Sequence, residues 1–432
     1  MKVDFNETTN HDTVCVGFGP AGIALACGVS DAEESGYKSP MGDCIFLEDA
    51  SRTAWHPEFI LPGTDINHHM FRDVVTPRNP RSRFSFAMYL KEKGRIYSFG
   101  LLGRPASRRE WSDYLTWVAG QLHGLVSYGE RAVEILPGVQ NGRLTHFNIG
   151  TSKGMRRARR IVLSTGSVPY VPDWAAELAG PTVFHTSQYL SRVEAFGCDL
   201  PKRWLIVGSG QSASEGIANL LGRRRDVEIT SLHRTSGFHL AQFGQFPNQA
   251  FSPERVDYFH SLDAVGRERL FREMKATNYA GIDADESAAL FSLMYEDEIE
   301  GRHRLSMLPF SEIVSVRKMN DGFEVTYIDI YRGCEQSLKV DAILLGTGYR
   351  QPKIPPLLSA IQPWLSQAPD GGIAVGRDYR VALDDPADAR IYVNGLSERS
   401  HGISDAQSFS LLAMRAERIL ESFQSELAAA AA

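Results

Sequence analysis

Three features of the sequence predict an α/β fold of two Rossmann-like dinucleotide-binding domains, the second inserted in the first, with a small helical region for substrate. Glycine-rich turns occur twice, at Gly17–Gly22 and Gly208–Ala213. Each follows an apolar strand-like run and opens a helical pattern. Two near-matching runs that close on glycine, Ile161–Gly166 and Ala342–Tyr349, bracket the second turn. The expected division is 1–195 with 341–432 for the first domain, including a C-terminal pocket helix. The second takes 196–340, with a charged helical segment over about 252–300.

The elements follow in order. Thr13–Val16 reads as a strand running into Gly17, Gly19 and Gly22, then the helical stretch IALACGV. The next strand, Cys44–Leu47, ends on Glu48, which completes a βαβ unit with an acidic terminus. Trp204–Val207 leads into Gly208, Gly210 and Ala213 and then SEGIANLL. Its following strand, Val227–Leu232, ends on His233 and Arg234. A final helix from about Ser408 to Phe423 is amphipathic through Leu411, Leu412, Met414 and Ile419. The closing run of alanines is set aside from the fold argument.

Composition bounds the function. A chain of 432 residues exceeds a usual single core. Its net charge of −6 gives no reason to expect nucleic acid, and its basic clusters are short enough to be solvated turns. The longest apolar runs are of strand length, far short of a membrane span, and the N-terminus is polar and acidic. A cytoplasmic protein is expected. Five scattered cysteines show neither C-x-x-C nor zinc spacing, so no metal and no dithiol chemistry is expected. His68 and His69 are adjacent, and on a strand they would point to opposite faces.

The turns carry the chemistry. The first glycine permits the tight turn, the second lets backbone approach a pyrophosphate, and the third lets helix and strand pack. The helix N-terminus then offers unpaired N–H groups and the positive end of its dipole. Glu48 suits a ribose with free hydroxyls, as in FAD. Arg234 suits a 2'-phosphate, which an acid would repel, so the second site reads as NADPH. Flavin disulfide reductases share two such sites but need a cysteine pair that is absent here. The F-x-G-x-x-x-H pattern of Baeyer-Villiger enzymes is degraded to Gly180 and His185, one residue too far apart.

Further segments carry a resemblance: Trp55-His56-Pro57, Leu61-Pro62-Gly63, Arg72-Asp73 through Ser82, Pro253-Glu254-Arg255, Ala276–Tyr279, Thr347–Tyr349 and Glu398–Asp405. Together, in order and over nearly the whole chain, the sequence resembles the N-hydroxylating flavin monooxygenases of siderophore biosynthesis, which act on ornithine, lysine and related diamines. The resemblance implies FAD, NADPH and dioxygen as reactants, a route through a flavin C4a-hydroperoxide, and a small amine as the partner, without nucleic acid or membrane. It also implies a homo-oligomer, a tetramer in much of the family. Carried over by position, Trp55, His56 and Asn67 lie at the flavin, with Asn67 where the family has Gln. Ser212 and Arg234 meet the NADPH phosphates. Asn278 faces both the substrate amine and the nicotinamide ribose. Asn248 helps hold a carboxylate, and Ser408 lines the pocket.

One departure bears on the substrate. The family carries Lys before the Asp of its pocket segment, and this chain carries Arg72, whose planar head holds a carboxylate in bidentate fashion and reshapes the pocket. An acidic amino acid, a short diamine or an imidazole-bearing amine therefore stands beside ornithine and lysine, with oxidation ending at a hydroxylamine or a nitro product. The rival classes are an NADPH-dependent flavin oxidoreductase and a nucleotide sensor without catalysis.

Overall fold

The computed structural model describes residues 8–279, 281–384, 387–406 and 408–431. The polar N-terminal stretch 1–7 lies outside them. A seven-stranded sheet runs in the order Val126–Tyr128, Cys44–Glu48, Thr8–Val16, Gly154–Leu163, Arg143–Thr151, Ala132–Gln140. The first four of these are parallel, and Arg143–Thr151 and Ala132–Gln140 join antiparallel. Gly154–Leu163 changes partner along its length: its start pairs with Arg143–Thr151 and its end with Arg390–Val393, which returns from late in the chain.

Alternation explains how this sheet is covered on both faces. Cys15, Phe46 and Val162 pack on the helix Pro20–Glu34 and the helices beyond it. Their neighbours Val14, Val16, Leu47, Ile161 and Leu163 pack on the opposite face with Leu358, Ile361 and Val393. Successive strand side chains point to opposite faces, so a strand buried on both reads as a continuous apolar run. The helix Pro20–Glu34 is buried along most of its length, Gly22 through Val29 included, so it lacks the polar stripe of a surface helix.

The second sheet is wholly parallel, in the order Leu305–Leu308, Glu228–Leu232, Arg203–Val207, Ala342–Leu345, Val183–His185. It repeats the two-faced pattern. Trp204, Ile206, Ala342 and Leu344 face one core, and Leu205, Ile343 and Leu345 face the other. The limits expected at 195 and 341 therefore fall beside strands of this sheet. Val183–His185 lies before the expected start, and Ala342–Leu345 lies after the expected end. Both are short runs whose hydrogen-bonding partners sit far away in sequence. The crossing segments pair with each other as a ribbon, Tyr349 on Pro169 and Arg350 on Val168. An antiparallel meander, Ser311–Met319, Gly322–Asp329 and Glu335–Val340, covers one face of the second sheet.

The helical segment resolves into three helices, Pro253–Ser261, Ala264–Asn278 and Ala284–Ile299. The final helix begins at Leu412, after a 3-10 turn at Phe409–Leu411, and runs through the alanines to Ala431. His68 and His69 lie in a bend and not on a strand, because the segment after Asp65 closes tight local turns. Among the described residues no three His, Cys, Asp or Glu side chains gather as a metal site. No helix there is long and apolar enough to cross a membrane.

Candidate active site

Both glycine-rich turns sit at the carboxyl ends of central parallel strands, where open α/β sheets bind ligands. Gly17 has φ of 98°, and a Cβ there would stand 2.5 Å from the Ser164 carbonyl oxygen. A Cβ on Gly22 would stand 2.5 Å from the Gly17 carbonyl oxygen, so this glycine serves helix–strand packing. Gly19 has nothing within 4 Å of its missing Cβ and opens on a cleft of about 570 Å³. The helix starting at Pro20 has no side-chain cap, which leaves its first N–H groups free for an anion. Glu48 lines the same cleft and accepts hydrogen bonds from Phe18 N (2.8 Å) and Ala50 N (3.0 Å). Arg415, fully buried beside this cleft, donates to Asn394 and pairs with Asp405, while its Nη2 has no partner among the described residues.

The second turn repeats the geometry. Gly208 has φ of 128°, and a Cβ would meet the Gly346 carbonyl oxygen at 2.2 Å. Gly210 is open, with nothing within 4 Å. Ala213 takes the third position because its neighbour across the turn is Gly346, which has no side chain to oppose it. Gln211 and Ser212 continue the turn into a second cavity of about 430 Å³.

That cavity joins the cleft. Trp55, His56, Tyr349, Ser408 and Phe409 line both. Trp55 meets His56 and Phe409 edge-on, with ring centroids at 4.6 and 5.2 Å. Burial, helped by Arg108, lowers His56 to about 4, and burial lowers His68 to about 4 as well. Both rings are therefore neutral near pH 7. Asn67 adopts a left-handed backbone, φ 56°, which Asn tolerates better than most residues, and its N–H is held by Asp65 Oδ1 at 2.9 Å.

The predicted substrate residues converge from distant parts of the chain. Arg72 Nη1 donates to Asn248 Oδ1 (3.2 Å) and to Ser410 Oγ (3.1 Å), and Asn248 Nδ2 donates to the Phe243 carbonyl (3.0 Å). Asn278 closes its helix at the cavity wall, with Nδ2 on the Ile403 carbonyl at 3.3 Å. Among the described residues no donor reaches its amide oxygen. Ser408 accepts from Ser410 N at 3.1 Å. Arg234 stands apart: it lines neither cavity, is 74% exposed, and pairs with Glu312 at 3.6 Å. Sequence reasoning missed Ser410, Phe251, Gln211 and Arg108 on the cavity wall. Gln211 alone carried a signal, its place inside the second turn.

Over residues 9–351 the sequence matches the family described as L-lysine 6-monooxygenase/L-ornithine 5-monooxygenase. The chain belongs to this family. It is 33% identical to the L-ornithine N(5)-monooxygenase of Emericella nidulans, over 96% of this chain and 90% of that protein. It is 31% identical to the enzyme of the same name from Pseudomonas aeruginosa, over 96% and 94%. Among solved structures, an L-lysine 6-monooxygenase from Pseudomonas syringae superposes with a TM-score of 0.89 at 54% identity, covering 96% of this chain and 99% of that one. An ornithine N-hydroxylase from Kutzneria, described as its FADred, NADP+ and L-orn form, gives 0.89 at 31% identity, over 97% and 100%. As a member of this monooxygenase family the chain is an FAD- and NADPH-dependent enzyme, and its residues fit both cofactors. The first cleft offers an open Gly19, uncapped helix N–H groups, an acid at the strand end and a buried arginine nitrogen awaiting a partner. The second turn offers an open Gly210 and a likewise uncapped helix.

Proposed function

We propose that this enzyme N-hydroxylates the primary amine of a small dibasic amino acid or diamine, ornithine- or lysine-like, using FAD, NADPH and dioxygen. The observation that carries this reading is Arg72, held by Asn248 and Ser410 in a cavity whose other arginine, Arg108, is already spent on Glu215. Arg72 can take one carboxylate. Glu58 and Asp65 on the same wall disfavour a second, which argues against an acidic amino acid and for a substrate with a distal amine.

In this reading Gly17, Gly19, Gly22, Glu48, Trp55, His56 and Asn67 hold FAD, and Gly208, Gly210, Ser212, Arg234 and Asn278 hold NADPH. Bound and reduced, the flavin supplies the activation of oxygen. The protein's part is position and dryness. Arg72 and Asn248 anchor the carboxylate, and Ser408 shapes the wall. The Asn278 amide oxygen accepts from the amine without adding charge. Trp55, Phe251 and Phe409 exclude water, and neutral His56 and His68 place no cation beside the amine. The hydroxylamine product suits later acylation to an iron-chelating hydroxamate, which fits a role in siderophore or related biosynthesis by a cytoplasmic enzyme.

The test is a panel of ornithine, lysine, putrescine, cadaverine, aspartate and histamine, scored by hydroxylated product and not by NADPH loss. Ornithine or lysine should lead. Arg72→Met should raise its KM about tenfold or more, as expected for a lost charge-assisted pair, with kcat changed far less. NADPH consumption without hydroxylated product from any of the six would overturn the reading.

A further inference from the structure

Five carboxylates gather behind the second glycine-rich turn: Glu215, Glu286, Asp283, Asp65 and Asp285. Glu215, one turn into the helix Gln211–Arg223, is 3% exposed and receives both terminal nitrogens of Arg108, at 2.7 and 2.8 Å. Arg108 opens the helix Arg108–Gln121, which packs in the first core, so this pair spans from one nucleotide unit to the other. The Gln211 amide nitrogen donates to Glu215 Oε1 at 2.9 Å and also to Glu286 Oε2. Its amide oxygen accepts from Asp283 N at 3.2 Å. The Gln211 side chain is thus fully engaged before any dinucleotide arrives.

The charges do not balance without a proton. One amide nitrogen that reaches two carboxylates places them within a few ångströms of each other, and like charges that close in a buried site do not both ionise. Arg108 offsets one of them. Nothing among the described groups offsets the other: Glu286 faces Glu215 on one side, Asp283 on its own helix, and only the already paired Arg108. Asp283 in turn faces Asp65 and Asp285, with the Asn67 side chain beside its carboxyl, and among the described residues its buried Oδ1 has no hydrogen-bond partner.

We propose that Arg108, Glu215 and Glu286 are positioning residues for the nicotinamide dinucleotide: they fix Gln211 in the turn, and one proton shared by the two glutamates keeps the turn from repelling the diphosphate. This rests on the reading of the second turn as the NADPH site. Burial first, then Glu215 and Asp283, push Glu286 above the ordinary carboxyl value, and burial with Asp65 pushes Asp283 up to about 6. While the two glutamates hold their shared proton the dinucleotide binds; as pH rises and that proton leaves, a further negative charge appears and binding weakens.

The experiment is a calorimetric titration of the FAD-loaded protein with NADP+ from pH 7 to 9.5, a range above the second ionisation of a phosphate monoester near 6. Kd for the wild type should rise about tenfold, the order expected for one unscreened charge several ångströms away. Glu286→Gln should hold Kd within about threefold over the same range, and NAD+ should follow the wild-type rise, since the effect is on the diphosphate. Arg108→Met should weaken NADP+ about tenfold at pH 7, and the double variant with Glu215→Gln should recover part of it. A flat wild-type profile, or a Glu286→Gln profile that still rises, overturns the proposal. Absence of any NADP+ binding at pH 7 by protein with full flavin content would instead overturn the reading of the second turn. If Arg108→Met does not fold, the Glu286 comparison decides alone.

Discussion

The two glycine-rich turns share a backbone and differ in how their surroundings handle charge. At the first cleft the acids are paired. Glu48 is tied to two backbone N–H groups, and Glu130, deep at the same cleft, takes both a Ser127 and a Thr151 hydroxyl and two nitrogens of Arg156 at 2.9 Å. At the second, Glu215 and Glu286 crowd one amide with a single arginine between them. The glycine spacing therefore encodes how closely backbone approaches a phosphate, while the carboxylates around it decide how the site responds to pH.

The comparison breaks most sharply at the glycines themselves. Gly17→Ala places a Cβ 2.5 Å from a backbone oxygen at a left-handed φ, so neither neighbour nor backbone can give way cheaply. Flavin content after purification should fall by on the order of a hundredfold in affinity terms, read from absorbance. Gly208→Ala, with its 2.2 Å approach to Gly346, should do the same to NADP+ while the flavin stays bound. Loss of both nucleotides from either single variant would mean the turns are not independent sites.

These glycines were legible in the sequence because the chemistry needs them at fixed spacing after a strand. The seven-stranded sheet was legible only in its parallel half. The antiparallel strands Ala132–Gln140 and Arg143–Thr151 form a hairpin around Asn141-Gly142, a local turn signal that the sequence reading passed over, whereas the short strand Val183–His185 takes its place from Ala342–Leu345, a partner far away in the chain that no local pattern encodes. The cavity was legible residue by residue through the family resemblance, as with Arg72, Asn248 and Asn278. Arg108 and Glu215 escaped because each reads as an ordinary helix-surface charge until the two helices are brought together. The bend at His68 carried no periodic signal, since the turns after Asp65 are set by side-chain caps.

A second test addresses the ionised acid of the first cleft. Burial pushes the Glu130 carboxyl up, but the hydrogen bonds from Arg156, Ser127 and Thr151 outweigh it and hold it down to about 2. Its contribution to stability is therefore complete above about 4.5, the ordinary value, and is lost as pH falls from there toward 2. Glu130→Gln should cost about 3 kcal/mol at pH 7, because Arg156 is left without its buried partner, and should cost little at pH 2.5. Chemical denaturation at the two pH values reads the difference. A variant equally destabilised at both would show that Glu130 acts by shape and not by charge, and the contrast with Glu286 would fail.

The smallest effect concerns what the two strand ends select. Glu48 is built into its cleft, whereas Arg234 is 74% exposed and lies 3.6 Å from Glu312, a pair too loose and too solvated to fix the guanidinium. An arginine in that state keeps its charge available to a 2'-phosphate, and the neighbouring acid competes for it. Arg234→Ala should therefore raise KM for NADPH by about tenfold and leave NADH within about twofold, since only the phosphate is lost as a partner. Glu312→Gln should act in the opposite direction and more weakly, improving NADPH by up to about threefold, the size of a released surface ion pair, without helping NADH. Initial rates with both dinucleotides at low ionic strength resolve changes of this size, and 0.5 M salt should erase the Glu312 effect first, because screening acts most on the exposed pair. Equal responses of NADPH and NADH to Arg234→Ala would remove the phosphate from the argument and leave the second turn specific for a diphosphate alone.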